Sequence, residues 1–328
     1  MELQVYRTSA SSYQNSVFLN KEQKVLEGIQ GVKYINTLQE IDKNIPFVLL
    51  TNTHTIPNEL STSILEKTQL IIHPNSGHDN FSQDFVKRAD FPIILGNPIR
   101  ANAVCEYTLS CLFQHFTKIP NHQHWPQERT WNRKLIRDQK VLIIGCGHIG
   151  KTLYKSLSPI AQQVMVYDPY VQNEVFPNLI KTWDTEKFKD ISVLIIAANL
   201  NPSTYHLVDQ EFFGHLSADC LIINPARGEI ISENDLVHFL QKNPKAFCFL
   251  DVFEKEPFSP GHLNDLPNLN KTAHIAGVFH RLNHDIISFE YLIIKEFMDY
   301  KKRDALKDFQ KDYNDCILNE ENYNKYEK

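Results

Sequence analysis

The sequence predicts an α/β protein built from doubly wound parallel sheets. Three observations carry that expectation. Short apolar runs alternate with helical segments along most of the chain, one run leads straight into a Gly-x-Gly-x-x-Gly turn that opens a helix, and a length of 328 residues suits two domains.

From the N-terminus, apolar runs at 47–50 (FVLL), 70–72 (LII) and 92–95 (PIIL) are separated by polar stretches with helical potential, such as STSILEKTQ. These make a first alternating unit. The stretch AVCEYTLSCLFQHF, 103–116, is apolar on nearly all sides and predicts a buried helix bridging two domains, with the crossing near residue 98. Val141 to Ile144 then read as a fully buried strand, and Ile149 to Leu157 as a helix. The strand VMVYD ends on Asp168, 18 residues after Gly150. SVLIIA (192–197), CLIIN (220–224) and FCFLDV (247–252) continue the second series. Ser232 with Asp235 predicts a capping box at the start of a helix between the last two strands. From Lys301 the chain is rich in charge and asparagine, which predicts a solvated helix and a frayed end.

Composition narrows the functional classes. With 42% hydrophobic and 22% charged residues the chain is an ordinary globular protein, and a net charge of −5 argues against nucleic acid or an anionic membrane as partner. The first residues lack a basic segment followed by an apolar core, and no 18 consecutive residues are apolar, so a cytoplasmic protein is expected. Cys105, Cys111, Cys146, Cys220, Cys248 and Cys316 show no C-x-x-C spacing and read as reduced packing residues, with no metal expected.

The glycine turn has the spacing of a dinucleotide fingerprint. Gly145 permits the sharp turn, Gly147 lets the backbone approach a pyrophosphate, and Gly150 lets helix and strand pack closely. Asp168 accepts the adenosine ribose hydroxyls, and its charge repels a 2′-phosphate; the expected cofactor is NAD, not NADP. In parallel sheets ligands bind beyond the carboxyl ends of strands. There the sequence places Arg227, Glu256 and His274. An arginine can fork onto a carboxylate and a carbonyl oxygen, a histidine can pass a proton, and a carboxylate can hold the imidazole and favour its charged form. Singly, each reads first as a surface arginine, a helix-capping glutamate or a core histidine, since the chain has 14 histidines.

Together, "GCGHIG … YDP … NPARGEI … LDVFEKEP … AHIAG" resembles the D-isomer-specific 2-hydroxyacid dehydrogenase family over nearly the whole chain. The resemblance implies two Rossmann-like domains. Residues 1–98 and 282–328 would form the substrate domain, and 99–281 an inserted NAD-binding domain. It further implies His274 as acid/base, Glu256 as its orienting partner and Arg227 as the substrate-polarising group. His148 and Ile149 match the pyrophosphate-binding backbone, Pro225 and Ala226 the nicotinamide-side turn, Asp251 the carboxamide partner, and Gly277 the end of the cofactor set. "NSGHDN" resembles the substrate loop, where the amides of Ser76 and Gly77 would hold a carboxylate. Members acting on phosphorylated hydroxy acids often carry an arginine at the position of Asn52. Oxidoreduction of a 2-keto acid and a D-2-hydroxy acid by a homodimer is therefore expected, with a phosphorylated substrate or an NAD-sensing corepressor as alternatives.

Overall fold

Fully apolar four-residue runs have nowhere to go but the interior of a sheet, and in the computed structural model they form the middle of two sheets. The structure describes residues 2–323 except 12, 13, 43, 126, 132, 172–175, 259, 260, 262, 264, 265, 321 and 322. In chain order come β1 (Leu3–Arg7), α1 (Ser16–Leu26), β2 (Val32–Ile35), β3 (Phe47–Leu50), α2 (Thr62–Leu65), β4 (Thr68–His73), α3 (Gln83–Arg88), β5 (Ile93–Leu95) and α4 (Asn97–Phe116). Next are β6 (Lys140–Ile144), α5 (His148–Leu157), β7 (Gln163–Tyr167), β8 (Leu179–Ile180), β9 (Ile191–Ile196), α6 (Gln210–Phe213), β10 (Leu216–Asn224), α7 (Glu233–Lys242), β11 (Phe247–Leu250) and β12 (Leu269–Lys271). The chain closes with α8 (Leu282–Lys302), α9 (Leu306–Asp312) and β13 (Ile317–Leu318).

The chain divides into two compact units, Met1–Arg100 with Phe279–Lys328, and Ala101–Val278. These crossings lie two and three residues from the expected ones. The first unit holds the sheet β13-β5-β4-β3-β1-β2, the second the sheet β12-β11-β10-β9-β6-β7-β8. Only the β13–β5 pairing is antiparallel among the described strands.

Both faces of the second sheet are covered. Leu142, Ile144, Leu194, Ile196 and Ile222 enter one apolar cluster, and Val141, Ile143, Val193, Ile195 and Leu221 another. This is the alternation of a strand buried on both sides, and it explains why these runs carry no polar residues. Strand order reverses between β6 and β9, so their carboxyl ends flank a crevice where ligands bind in open α/β sheets.

Four sequence expectations need correction. The segment STSILEKTQ is helical only over Thr62–Leu65, because Thr68 onward is drawn into β4. α4 begins at Asn97 and is not buried all round: Asn102, Glu106, Ser110 and Phe113 are exposed. Ser232 is the N-cap of α7, but its side chain makes no capping bond. The Glu233 amide donates instead to Glu254 Oε1 at 2.9 Å, and Asp235 accepts from the Gln210 amide at 3.2 Å. Finally, the tail is not merely solvated. Phe309 on α9 is fully buried and β13 joins the first sheet; the frayed end is expected after the helix, and residues 324–328 lie outside the described residues.

The sequence reading also had no place for β1, β2 and α1. β1 lies inside its sheet, between β3 and the edge strand β2, although it carries Gln4, which is fully buried. Its amide donates to the Asp42 and Ile45 carbonyls at 2.8 and 3.1 Å and accepts from the Asp42 amide at 3.0 Å. A polar side chain satisfied in this way is tolerated inside.

Candidate active site

The glycine turn, Asp168, Arg227, Asp251, Glu256 and His274 all lie in the second unit and are carried by segments that leave the carboxyl ends of its strands. At the end of β6, Gly145 sits at φ +102, a conformation disfavoured for any residue with a Cβ. A Cβ there would lie 2.6 Å from the Ala197 backbone, and one on Gly150 only 2.0 Å from the Gly145 carbonyl oxygen. Gly147 differs, because a Cβ on it meets nothing within 4 Å. Turn, close packing and open approach thus fall on the three glycines as the spacing implies. Gly147 is also the N-cap of α5 and brings no side chain to cap it, so the first-turn backbone at His148 and Ile149 presents the positive end of the helix. That arrangement fits a pyrophosphate.

Asp168 follows β7, half-buried. Its Oδ2 accepts from the Cys146 amide at 2.8 Å and its Oδ1 from the Tyr170 amide at 2.9 Å. The carboxylate therefore braces the glycine turn, and each oxygen keeps a further lone pair for a ribose hydroxyl.

The loop after β10 is shaped by Asn224, which is fully buried. Its Oδ1 accepts from the Ala226 amide at 3.1 Å and its Nδ2 donates to the Arg227 carbonyl at 2.8 Å, folding Pro225, Ala226 and Arg227 into a tight turn. Arg227 Nη1 donates to the Ala226 carbonyl at 2.8 Å. Gly228 then packs against the segment after β11: a Cβ would sit 1.9 Å from the Phe253 carbonyl carbon. This contact brings the arginine loop beside the segment that carries Glu256.

Glu256 Oε2 and His274 Nδ1 are 2.8 Å apart, and Glu256 Oε1 accepts from the Phe253 amide at 3.2 Å. The pair is accessible, with side-chain exposures of 37% for Glu256 and 49% for His274. Burial pushes the Glu256 carboxyl up. The His274 hydrogen bond and charge, the Phe253 amide and the nearby Arg227 charge outweigh that, and hold it below the usual carboxylate range. With Nδ1 engaged, Nε2 on the far edge of the ring is the nitrogen left to exchange a proton with a ligand.

Asp251, the expected carboxamide partner, follows β11. It is fully buried, and its Oδ1 and Oδ2 accept from the Ile275 and Ala276 amides at 2.8 and 2.7 Å. Its carbonyl takes the His274 amide at 2.7 Å. This carboxylate holds the loop from His274 to Gly277.

Ser76 and Gly77 belong to the first unit, after β4. Gly77 O is 3.0 Å from His73 Nε2, at the end of β4, and Ser76 O is 3.2 Å from His78 Nδ1, within the loop. Asn52 is buried. Its side chain accepts from Ser9 Oγ and the His54 amide, both at 2.8 Å, and donates to the Ser9 carbonyl at 3.0 Å.

Sequence reasoning missed Asn224, Gly228 and Glu254. A lone asparagine closing an apolar strand run was a readable signal for the first. Glu254 had none, since its partners, His206 Nε2 at 3.0 Å and the Glu233 amide, are remote in sequence.

Residues 109–276 match the family model described as D-isomer specific 2-hydroxyacid dehydrogenase, NAD binding domain. Among curated relatives, the chain is 27% identical over 247 residues to an erythronate-4-phosphate dehydrogenase of Psychrobacter sp., a match covering 74% of this chain and 63% of that protein. It therefore spans less than two thirds of that relative's length. A (S)-sulfolactate dehydrogenase of Chromohalobacter salexigens is 28% identical over 225 residues, 64% of this chain and 71% of that one. The fold is similar to that of a D-lactate dehydrogenase of Aquifex aeolicus complexed with NAD and lactic acid, with a TM-score of 0.67 at 16% identity over 96% of this chain and 98% of that one.

Proposed function

We propose, from the premise that the chain belongs to the D-isomer-specific 2-hydroxyacid dehydrogenase family, that it interconverts a 2-keto acid and a D-2-hydroxy acid. The observation that carries this reading is the accessible Glu256–His274 pair at 2.8 Å, in the same unit as the glycine turn.

NADH held at the glycine turn and Asp168 would supply the hydride, and NAD would accept it in the reverse direction. The protein supplies the rest. In reduction His274 gives the proton from Nε2 to the carbonyl oxygen, while Glu256 holds Nδ1 and favours the imidazolium that donates it. The Arg227 guanidinium forks onto the substrate and offsets the charge that develops on that oxygen. The amides of Ser76 and Gly77 are proposed as an anion nest for the substrate carboxylate. Asp168 favours NAD over NADP by charge.

Among substrates, the reading favours an unphosphorylated acid, because Asn52 is buried and already bonded, and supplies no charge for a phosphate. A homodimer is part of the same proposal, with the exposed Phe113 on α4 as a candidate contact. Residence in the cytoplasm is likewise proposed. No helix among the described residues is long and apolar enough to cross a membrane.

The experiment is NADH oxidation against glyoxylate, hydroxypyruvate, pyruvate, longer 2-keto acids and phosphohydroxypyruvate. Turnover of an unphosphorylated keto acid is expected. Turnover of phosphohydroxypyruvate alone would move the substrate class, and NADH binding without any turnover would favour an NAD-sensing protein.

A further inference from the structure

His274 sits at φ +54, a left-handed conformation that costs energy for a residue with a Cβ. Something must hold it there. Asp251 contributes the holding bonds already described: its carbonyl takes the His274 amide, and its two carboxylate oxygens take the next two amides. Asp251 Oδ1 also lies 2.6 Å from Thr272 Oγ1. Both carboxylate oxygens already face amide donors, so Asp251 acts as acceptor throughout and the Thr272 hydroxyl gives it its single proton. The Thr272 oxygen then has only lone pairs left for its other neighbour, Tyr107 Oη at 2.7 Å on α4. Proton direction along the row is therefore settled: Tyr107 donates to Thr272, Thr272 to Asp251. Burial pushes the Tyr107 phenol well up, so it keeps the proton that this role needs.

We infer that Tyr107 and Thr272 are positioning residues for His274, a hydroxyl relay that orients the Asp251 carboxylate and through it the turn presenting the imidazole. This rests on His274 being the acid/base of the proposed reaction. The relay ends on the His274 turn and includes neither the glycine turn nor Asp168, so its loss acts first on the chemical step and leaves the contacts at the glycine turn in place. Without the phenolic proton the Thr272 hydroxyl is free to rotate away, Asp251 loses a donor, and the strained turn relaxes.

The test uses the full chain and the keto acid turned over fastest. Tyr107→Phe, which removes one oxygen and keeps the ring, lowers kcat about tenfold, the scale of one hydrogen bond, with the Kd for NADH changed less than about twofold. Thr272→Val does the same, and Thr272→Ser restores most of the loss. In a His274→Ala background Tyr107→Phe lowers the residual rate no further, whereas a merely structural role carries the same loss into that background. Long-range ¹⁵N–¹H spectra add a readout independent of turnover: the His274 ring signals shift in Tyr107→Phe while those of His206 stay. Wild-type kcat with unshifted His274 signals in Tyr107→Phe overturns the relay, as does an undiminished loss in the His274→Ala background. Wild-type turnover in His274→Ala itself overturns the reading on which it rests.

Discussion

Glu256 in the second unit and Glu290 in the first each stand beside a basic partner, and burial pushes both carboxyls up, yet they settle on opposite sides of the ordinary carboxylate range. Glu256 is partly open to water. Its histidine bond, an amide and the Arg227 charge win over a moderate desolvation. Glu290 on α8 is fully buried and shares Arg7 with another fully buried carboxylate, Glu22 on α1. Arg7 Nε donates to Glu22 Oε2 at 2.8 Å and Nη2 to Glu290 Oε1 at 2.5 Å, and the Tyr34 hydroxyl donates to Glu22 Oε2 at 2.5 Å. One guanidinium cannot neutralise two carboxylates in the interior, so desolvation and the Glu22 charge keep Glu290 well above its usual value, and it holds a proton. The difference teaches what each cluster is for. A pair that water and ligand can reach is able to exchange protons; a sealed one ties β1, α1 and α8 together.

The sharpest break of this comparison is His274→Ala, for which kcat should fall roughly 10²- to 10⁴-fold while NADH binding survives. Steady-state kinetics with fluorescence titration of NADH would decide it, and near-normal turnover would remove the pair from the chemistry. Next in size is Arg7→Met. The Glu22 carboxylate is then left buried without its cation, beside the protonated Glu290, so stability should drop by about 3–5 kcal/mol in urea unfolding. A loss under about 1 kcal/mol would mean that the cluster bears little of the fold.

pH sharpens the contrast further. Because the folded state raises the Glu290 pKa, the native protein holds a proton that the unfolded chain releases, and stability falls as pH rises above the ordinary carboxylate value. Glu290→Gln removes that decline. Its stability relative to wild type should climb between about pH 5 and about pH 8, by at most about 1.4 kcal/mol per pH unit, and a flat difference would contradict the shared-arginine account. Glu256 has the reverse sign. Its folded pKa is depressed, so its contribution is complete above the ordinary carboxylate value and is lost as pH falls through the folded value. Half-exposed as it is, Glu256→Gln should change stability by at most about 1 kcal/mol, with the difference shrinking in acid. A difference that instead grows toward acid pH would reverse the assignment.

Much of the second unit was legible in the sequence because its demands are local. Four-residue apolar runs declare strands buried on both faces, and Gly145, Gly147 and Gly150 declare a turn that excludes, tolerates and again excludes a Cβ. The first unit was less legible. β1 carries Gln4 and Arg7, whose burial is licensed by partners between 15 and 283 residues away. A polar residue of that kind reads as surface until its partner is known.

The residue types at the site were present in the sequence, since an arginine, a glutamate and a histidine each follow a strand of one sheet. Their working arrangement belongs to the tertiary structure. The 2.8 Å contact of Glu256 with His274 exists because Gly228 admits the Phe253 backbone and because Asp251 holds His274 at φ +54. Tyr107 and Thr272 meet across 165 residues of sequence. Backbone preferences and apolar periodicity act between near neighbours and can be read along a chain, whereas hydrogen bonds between distant segments depend on how the sheet brings strand ends together. For the same reason the bracing bonds of Asp251 could not be read along the chain: only the folded chain decides which donors surround a carboxylate.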